Sequence, residues 1–365
     1  MKKIGVLTIT NGQNYGNRLQ NYAVQAVLER MGVKVETILN TTNTFDTRTL
    51  NYQLKLLIKR ITGYTLEPLD LRRYKFDKFT DKFIHLSRYK VAADKMPEGL
   101  ADAYDMFVSG SDQVWNPNYG FNSYIDFMTF ADRDKRVSYA ASFGVSEIPS
   151  NLEEQYTEWI AGLNHISVRE ATGAEIVKHL TGREATVLID PTMMLDAEDW
   201  EKLEKKPKEI EENQKYILVY FLADHEKDKD KYISSIAAQT NYQVVPLYSD
   251  YDEVQKEKGV ESFSYDPSEF LWLVHHAQIV FTDSFHSCVF SMLYKTPFRV
   301  FQRQEKMNMN SRLDNLLGIF GMQWCHVDFN ETAEQIMDFN IDIQEVLQAE
   351  RQKTLEYLTK AITQN

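Results

Sequence analysis

Residues 4–37 read IGVLTITNGQNYGNRLQNYAVQAVLERMGVKVET, and this stretch decides the fold. Ile4 to Ile9 is an apolar run of strand length that breaks into an Asn/Gly loop from Asn11 to Asn17. Leu19, Tyr22, Ala23, Ala26 and Val27 then recur at helical spacing as far as Gly32, after which Val33, Val35 and Thr37 alternate as a second strand. Strand, loop, helix and strand in that order form the right-handed crossover of parallel sheets, whose ligand sites lie at the carboxyl ends of the strands. The chain is expected to open as a Rossmann-like domain.

Outward from this unit, residues 43–95 are charged, aromatic and helix-like, which predicts a helical insertion. Strands are expected again at Met106–Val108, Val137–Ala140, Ile166–Val168 and Val187–Ile189, with helices near Leu152–Leu163 and Ala171–Leu180. The mostly ionisable stretch Glu201–Lys215 contains Pro207 and suits a solvated linker. Tyr216–Leu222, Gln243–Leu247, Ile279–Thr282 and Phe298–Phe301 repeat the strand pattern beyond it. The expected organisation is an N-terminal Rossmann-like domain over about 1–205, a second over about 206–340, and an amphipathic C-terminal helix over about 341–365 that packs back.

At 365 residues the chain exceeds the roughly 250–300 at which one core stops growing, which agrees with two domains. Hydrophobic residues at 43% and charged residues at 26% exclude a disordered or low-complexity chain. With 41 Lys and Arg against 53 Asp and Glu, the net charge of -12 disfavours non-specific attraction to nucleic acid or to an anionic membrane, so an anion site must be a local pocket. The two cysteines, Cys288 and Cys325, are too few for a disulfide scaffold and suit a reducing, cytoplasmic setting. The opening Met1-Lys2-Lys3 run lacks a cleavage site, and the longest apolar stretches fall far short of the ~20 residues of a transmembrane helix.

Four motifs offer chemistry. In the first loop, Asn14, Gly16, Asn17 and Arg18 sit at a helix start, where unpaired N–H groups favour an anion; a plain turn and helix cap fits the same residues. The turn Ser109-Gly110-Ser111-Asp112-Gln113-Val114-Trp115 follows a strand and offers hydroxyls, an amide and a ring to a polyhydroxylated ligand, or else a core Trp. Arg169 ends a short strand in Ser167-Val168-Arg169-Glu170 and serves either as an anion fork or in a salt bridge. Finally, Thr282-Asp283-Ser284-Phe285-His286 carries a buried strand into a polar helix start, where an imidazole could act on a ligand; a capping Ser and a satisfied His fit the same residues. Cys288 lies on an apolar helix and reads as a structural thiol, while His275 and His276 read as helix-surface residues.

Together these motifs, with Arg136-Val137-Ser138-Tyr139-Ala140-Ala141-Ser142-Phe143-Gly144 and Asp190-Pro191-Thr192 between them, resemble the polysaccharide pyruvyl transferase family in kind and order over about residues 1–320. The resemblance implies two Rossmann-like domains facing a cleft, as in GT-B glycosyltransferases. It further implies ketal formation from phosphoenolpyruvate as donor substrate, with no other cofactor and no metal, on a sugar of a polysaccharide or lipid-linked glycan. A lipid-linked acceptor would bring the chain into peripheral contact with a membrane. His286 matches the family's general acid/base and Arg169 its anchor for phosphoenolpyruvate. Many relatives have Arg where Ser284 stands and Gly where Ser287 stands, so one cationic contact must come from elsewhere, with Arg18, Arg303 and Arg312 as candidates. The rival readings are a GT-B glycosyltransferase using a nucleotide sugar and a non-catalytic glycan-binding relative.

Overall fold

The structure is a computed structural model that describes residues 1–10, 12–42, 50–62, 68–120, 122–223, 227–248, 265–303 and 311–364. Asn11, and residues 43–49 and 63–67 of the expected insertion, lie outside the described residues. The first sheet is wholly parallel in the order β3-β2-β1-β4-β5, formed by β1 (Lys3–Leu7), β2 (Lys34–Asn40), β3 (Leu86–Val91), β4 (Met106–Ser109) and β5 (Arg136–Ser138). Single bridges, Val137 to His165 and Ala141 to Val168, attach a parallel pair, β6 (Ser167–Val168) and β7 (Thr186–Val187), beside β5. The second sheet, also parallel, runs β11-β10-β8-β9, from β8 (Tyr216–Tyr220), β9 (Gln243–Leu247), β10 (Ile279–Thr282) and β11 (Phe298–Val300).

Alternation along β1 shows why it is central. Ile4 and Val6 face one core and Leu7 another, and a Cβ at Gly5 would stand 2.8 Å from Ile38. Helix α1 (Tyr15–Arg30) starts at the Asn14 cap, whose side chain accepts from Asn17 N, and stops before Gly32, which takes φ +82°. The segment after β2 departs from expectation. Helices α2 (Leu50–Ile61) and α3 (Pro68–Phe83) are present, but the helical part ends at Phe83, and Leu86–Val91 is an edge strand hydrogen-bonded to β2. Its sequence LSRYKV alternates buried and solvated positions as an edge strand must, and the charges hid it.

The two sheets share one core. Ile4, Val6, Val24 and Leu28 of the first unit belong to the same buried cluster as Leu218, Val280 and Phe290 of the second. Tyr15 on α1 stacks on Phe270 at 4.6 Å and meets Tyr220 edge-on at 5.6 Å. The 201–215 stretch is likewise more than a solvated linker. Leu203 and Ile210 are buried in that core, Lys205 bonds Glu269 and Asp266, and Glu204 bonds His275 at 2.9 Å, so His275 is half-buried rather than a free surface residue. The helix Gln344–Thr363 returns to the first unit: Arg351 donates to the carbonyls of Met193 and Leu195, and Tyr357 to that of Ser138.

Asp126 offers a test of this packing. Its carboxylate accepts from Ser123 N in a capping box, yet burial outweighs that bond and the Asn40 contact and pushes its pKa from 3.8 up to about 7. A carboxyl whose pKa is raised on folding costs stability once ionised, so the cost grows as pH rises from about 4 to about 7. Asp126→Asn, which keeps an accepting oxygen, is expected to raise the melting temperature by about 5 °C at pH 8, with the gain shrinking toward pH 4. A pH-independent change would show that Asp126 is not the group concerned.

Candidate active site

The carboxyl ends of β4, β6, β7 and β10 converge. After β10, Ser284 caps the Phe285–Tyr294 helix by accepting from Ser287 N, which holds His286 in the first turn. The imidazole reaches across to the other unit: Nε2 lies 3.6 Å from Asp190 Oδ2, and Nδ1 faces Gly16 so closely that a Cβ there would stand 2.0 Å away. Gly16 is therefore required by the approach of His286, not by a turn.

Asp190 follows β7 and is 1% exposed. Oδ2 accepts from Ser111 Oγ at 3.0 Å and Arg169 Nη1 at 2.8 Å, while Oδ1 accepts from Thr192 N at 3.0 Å and Thr192 Oγ1 at 2.7 Å. Burial alone would raise its pKa, but His286, Arg169 and the Thr192 N–H hold it far below the usual carboxylate range. Arg169, 2% exposed, also donates from Nε to Glu170 Oε1 at 2.8 Å and lies 4.3 Å above the Phe285 ring. Burial works against its charge, but Glu170, Asp190 and Asp112 outweigh it and raise its pKa. Its Nη2 stands 3.9 Å from Asp112 Oδ1 and makes no hydrogen bond.

Arg312 completes the group. The Gln113 carboxamide sits 2.6 Å from Asn116 Nδ2 on one side; with its oxygen turned to the other, it accepts from both Nη atoms of Arg312 at 2.9 and 3.1 Å. Among the described residues Arg312 Nε has no hydrogen-bond partner, and no carboxylate lies within ion-pair distance of this guanidinium. Burial and the neighbouring Arg169 lower its pKa. His286 Nε2, Arg169 Nη2 and Arg312 Nε are thus buried nitrogens in one region without a hydrogen bond among the described residues, groups that a polar or anionic ligand could satisfy.

The remaining expected residues divide. Asp112, at φ +72°, caps its own turn through Gln113 N, and Ser109 Oγ is buried without a hydrogen bond. Asp283 is spent on Leu222 N, Ala223 N and Arg303, so it shapes the loop after β8. Asn14 caps α1 by accepting from Asn17 N, and Arg18 donates to the Gly12 carbonyl and lies over the Phe76 ring. Trp115 is a core residue stacked on Phe127 at 5.0 Å, not a sugar platform. Asp190 and Glu170 are functional candidates that motif reading missed as site residues; the Asp-Pro-Thr step after a strand was the available signal. Elsewhere, Glu204, His275 and His276 bring ligand atoms within 4.8 Å of one another, although Glu204 is engaged by His275. Cys288 is fully buried, with its pKa raised by burial, as a structural thiol should be.

Gly16→Ala tests the imidazole's seat. The added methyl must displace His286, so turnover is expected to fall about tenfold while the helix itself tolerates Ala. Full turnover in this variant would mean that the position of His286 is irrelevant.

Two Rossmann-like units with a cleft at their strand ends make this a GT-B-type fold. The sequence model of polysaccharide pyruvyl transferase matches residues 14–305, and the chain belongs to that family. Among solved structures it is similar to the UDP-GlcNAc 2-epimerase of Methanocaldococcus jannaschii, at 11% identity and TM-score 0.53, over 98% of this chain and 99% of that one. It is also similar to S. aureus MnaA with UDP, at 10% identity and TM-score 0.51, over 93% and 87%. At such identities the likeness carries the fold alone. No curated protein matches the chain.

Proposed function

We propose that the chain transfers the three-carbon unit of phosphoenolpyruvate to two hydroxyls of one sugar in a polysaccharide or lipid-linked glycan, forming a pyruvate ketal and releasing phosphate. The observation that carries this reading is the buried Arg312 guanidinium, which has no carboxylate within ion-pair distance among the described residues, in a family member whose Ser284 stands where an Arg is expected. An anion placed there would use Arg312 Nε and Arg169 Nη2 as donors.

In this scheme His286 gives a proton to the methylene carbon, leaving an oxocarbenium-like C2. One sugar hydroxyl attacks C2 and loses its proton, which restores the imidazolium. The second hydroxyl then replaces phosphate at C2 as the C–O bond to phosphorus-bound oxygen breaks, and its proton leaves with phosphate. Asp190 orients the imidazolium and faces its charge before the proton is given and after it is restored, and the arginines offset the donor's charge.

The rival is a nucleotide-sugar glycosyltransferase, suggested by the UDP-linked neighbours in fold. Thermal shift with phosphoenolpyruvate and with nucleotide sugars, followed by phosphate release, separates the two. Stabilisation by phosphoenolpyruvate with phosphate release on a glycan acceptor supports the ketal reaction; stabilisation by nucleotide sugars alone sinks it. Sugar binding without phosphate release would mark a non-catalytic relative.

A further inference from the structure

Helix α2 has the sequence LNYQLKLLIKRI. Leu54, Leu57, Ile58 and Ile61 are 51%, 50%, 52% and 75% exposed, and their spacing sets them on one stripe. The helix is fastened from its other side: Tyr52 is buried against Leu71 and Tyr74, its hydroxyl donates to Asp70 at 2.7 Å, and Lys59 lies 3.4 Å from Asp70. Other exposed large apolar residues among those described, such as Trp324, Phe329 and Leu355, do not form such a run.

The charge pattern chooses the occupant. The helix carries Lys55, Lys59 and Arg60 and no acid, in a chain whose acids outnumber its bases. We infer that α2 is an in-plane anchor that sinks Leu54, Leu57, Ile58 and Ile61 into the surface of an anionic bilayer, with the positive charge of Lys55 and Arg60 favouring anionic headgroups. A second copy on the same face would set one row of cations against another across a two-fold axis, which is unfavourable. No described helix is long and apolar enough to cross a membrane, so the contact is interfacial. The helix that holds the anchor, α3, reaches the loop before α1. Arg72 on α3 donates to Gln13 O at 2.8 Å and Tyr15 Oη at 2.7 Å, and Tyr15 precedes the Gly16 on which His286 rests. Docking would thus hold the cleft near the membrane, where a lipid-linked sugar is presented; that benefit rests on the proposed acceptor, whereas docking itself does not.

The full chain is expected to float with vesicles of phosphatidylglycerol and phosphatidylcholine, weakly or not at all with phosphatidylcholine alone, and less as salt rises. Leu57→Glu combined with Ile58→Glu should weaken binding about tenfold or more with the melting temperature unchanged, because both side chains are already in water. Lys55→Gln combined with Arg60→Gln should remove most of the preference for anionic vesicles. Failure of the wild type to float, or equal flotation of the Glu variant, overturns the anchor. So does a wild-type dimer in sedimentation velocity that the Glu variant converts to monomer, since a second copy would then cover the stripe. Wild type that floats but turns over no phosphoenolpyruvate upholds docking and removes only the proposed reaction.

Discussion

His286→Ala is expected to lower turnover about 10²–10⁴-fold, because it removes the proposed proton donor to the phosphoenolpyruvate methylene. A polar helix start facing a cleft, as the sequence suggests for His286, would let it be lost with little effect on folding. In the structure it is 6% exposed, with Gly16 against Nδ1, the Phe285 ring edge-on at 5.2 Å and Asp190 beyond Nε2. Truncation therefore leaves a void and removes a neighbour of a buried carboxylate, for a cost of about 1–2 kcal/mol. Phosphate release per folded molecule, measured well below the variant's melting temperature, is the deciding quantity. Near-normal turnover there would end the general-acid assignment and move attention to another group beside Asp190.

Local rules carried the reading of fold wherever one element could be judged alone. The first strand, loop, helix and strand followed from periodicity and end signals, and β9 and β10 occupy the expected residues. What the sequence concealed depends on neighbours far along the chain. β3 is a charged edge strand whose partner is β2, so its own composition argued against it. Gly16 looked like a turn glycine because the ring that requires it lies 270 positions later, at His286. Asp190 gains its role from Thr192 two positions on and from Ser111, Arg169 and His286, three residues on separate strand ends or turns that no window of sequence joins. Trp115 is the converse, since aromatic character suits a sugar platform and a core equally, and Phe127 decides for the core.

The two buried arginines are expected to separate when mutated. Arg169 satisfies Glu170 through Nε and Asp190 through Nη1, so Arg169→Lys cannot reproduce both bonds and leaves a buried carboxylate underpaired. A loss of about 3–5 kcal/mol is expected, seen as a melting temperature several degrees lower, with phosphoenolpyruvate affinity also reduced because Nη2 is gone. The loss has a defined pH dependence. Asp190 has its pKa depressed on folding, so its contribution is complete above the ordinary carboxylate value and is lost as pH falls through that value toward the native one. The gap between wild type and Arg169→Lys should therefore narrow in acid. Arg312→Gln inverts the pattern. It removes a buried guanidinium that has no ion-pair partner among the described residues and is repelled by Arg169, so the melting temperature should hold or rise. Phosphoenolpyruvate affinity should nevertheless fall about tenfold to a hundredfold, the worth of one charged hydrogen-bonding group. Unchanged affinity in Arg312→Gln would remove it as the substitute for the Arg that Ser284 replaces. Unchanged affinity with a lowered melting temperature in Arg169→Lys would leave Arg169 as a support for Asp190 alone.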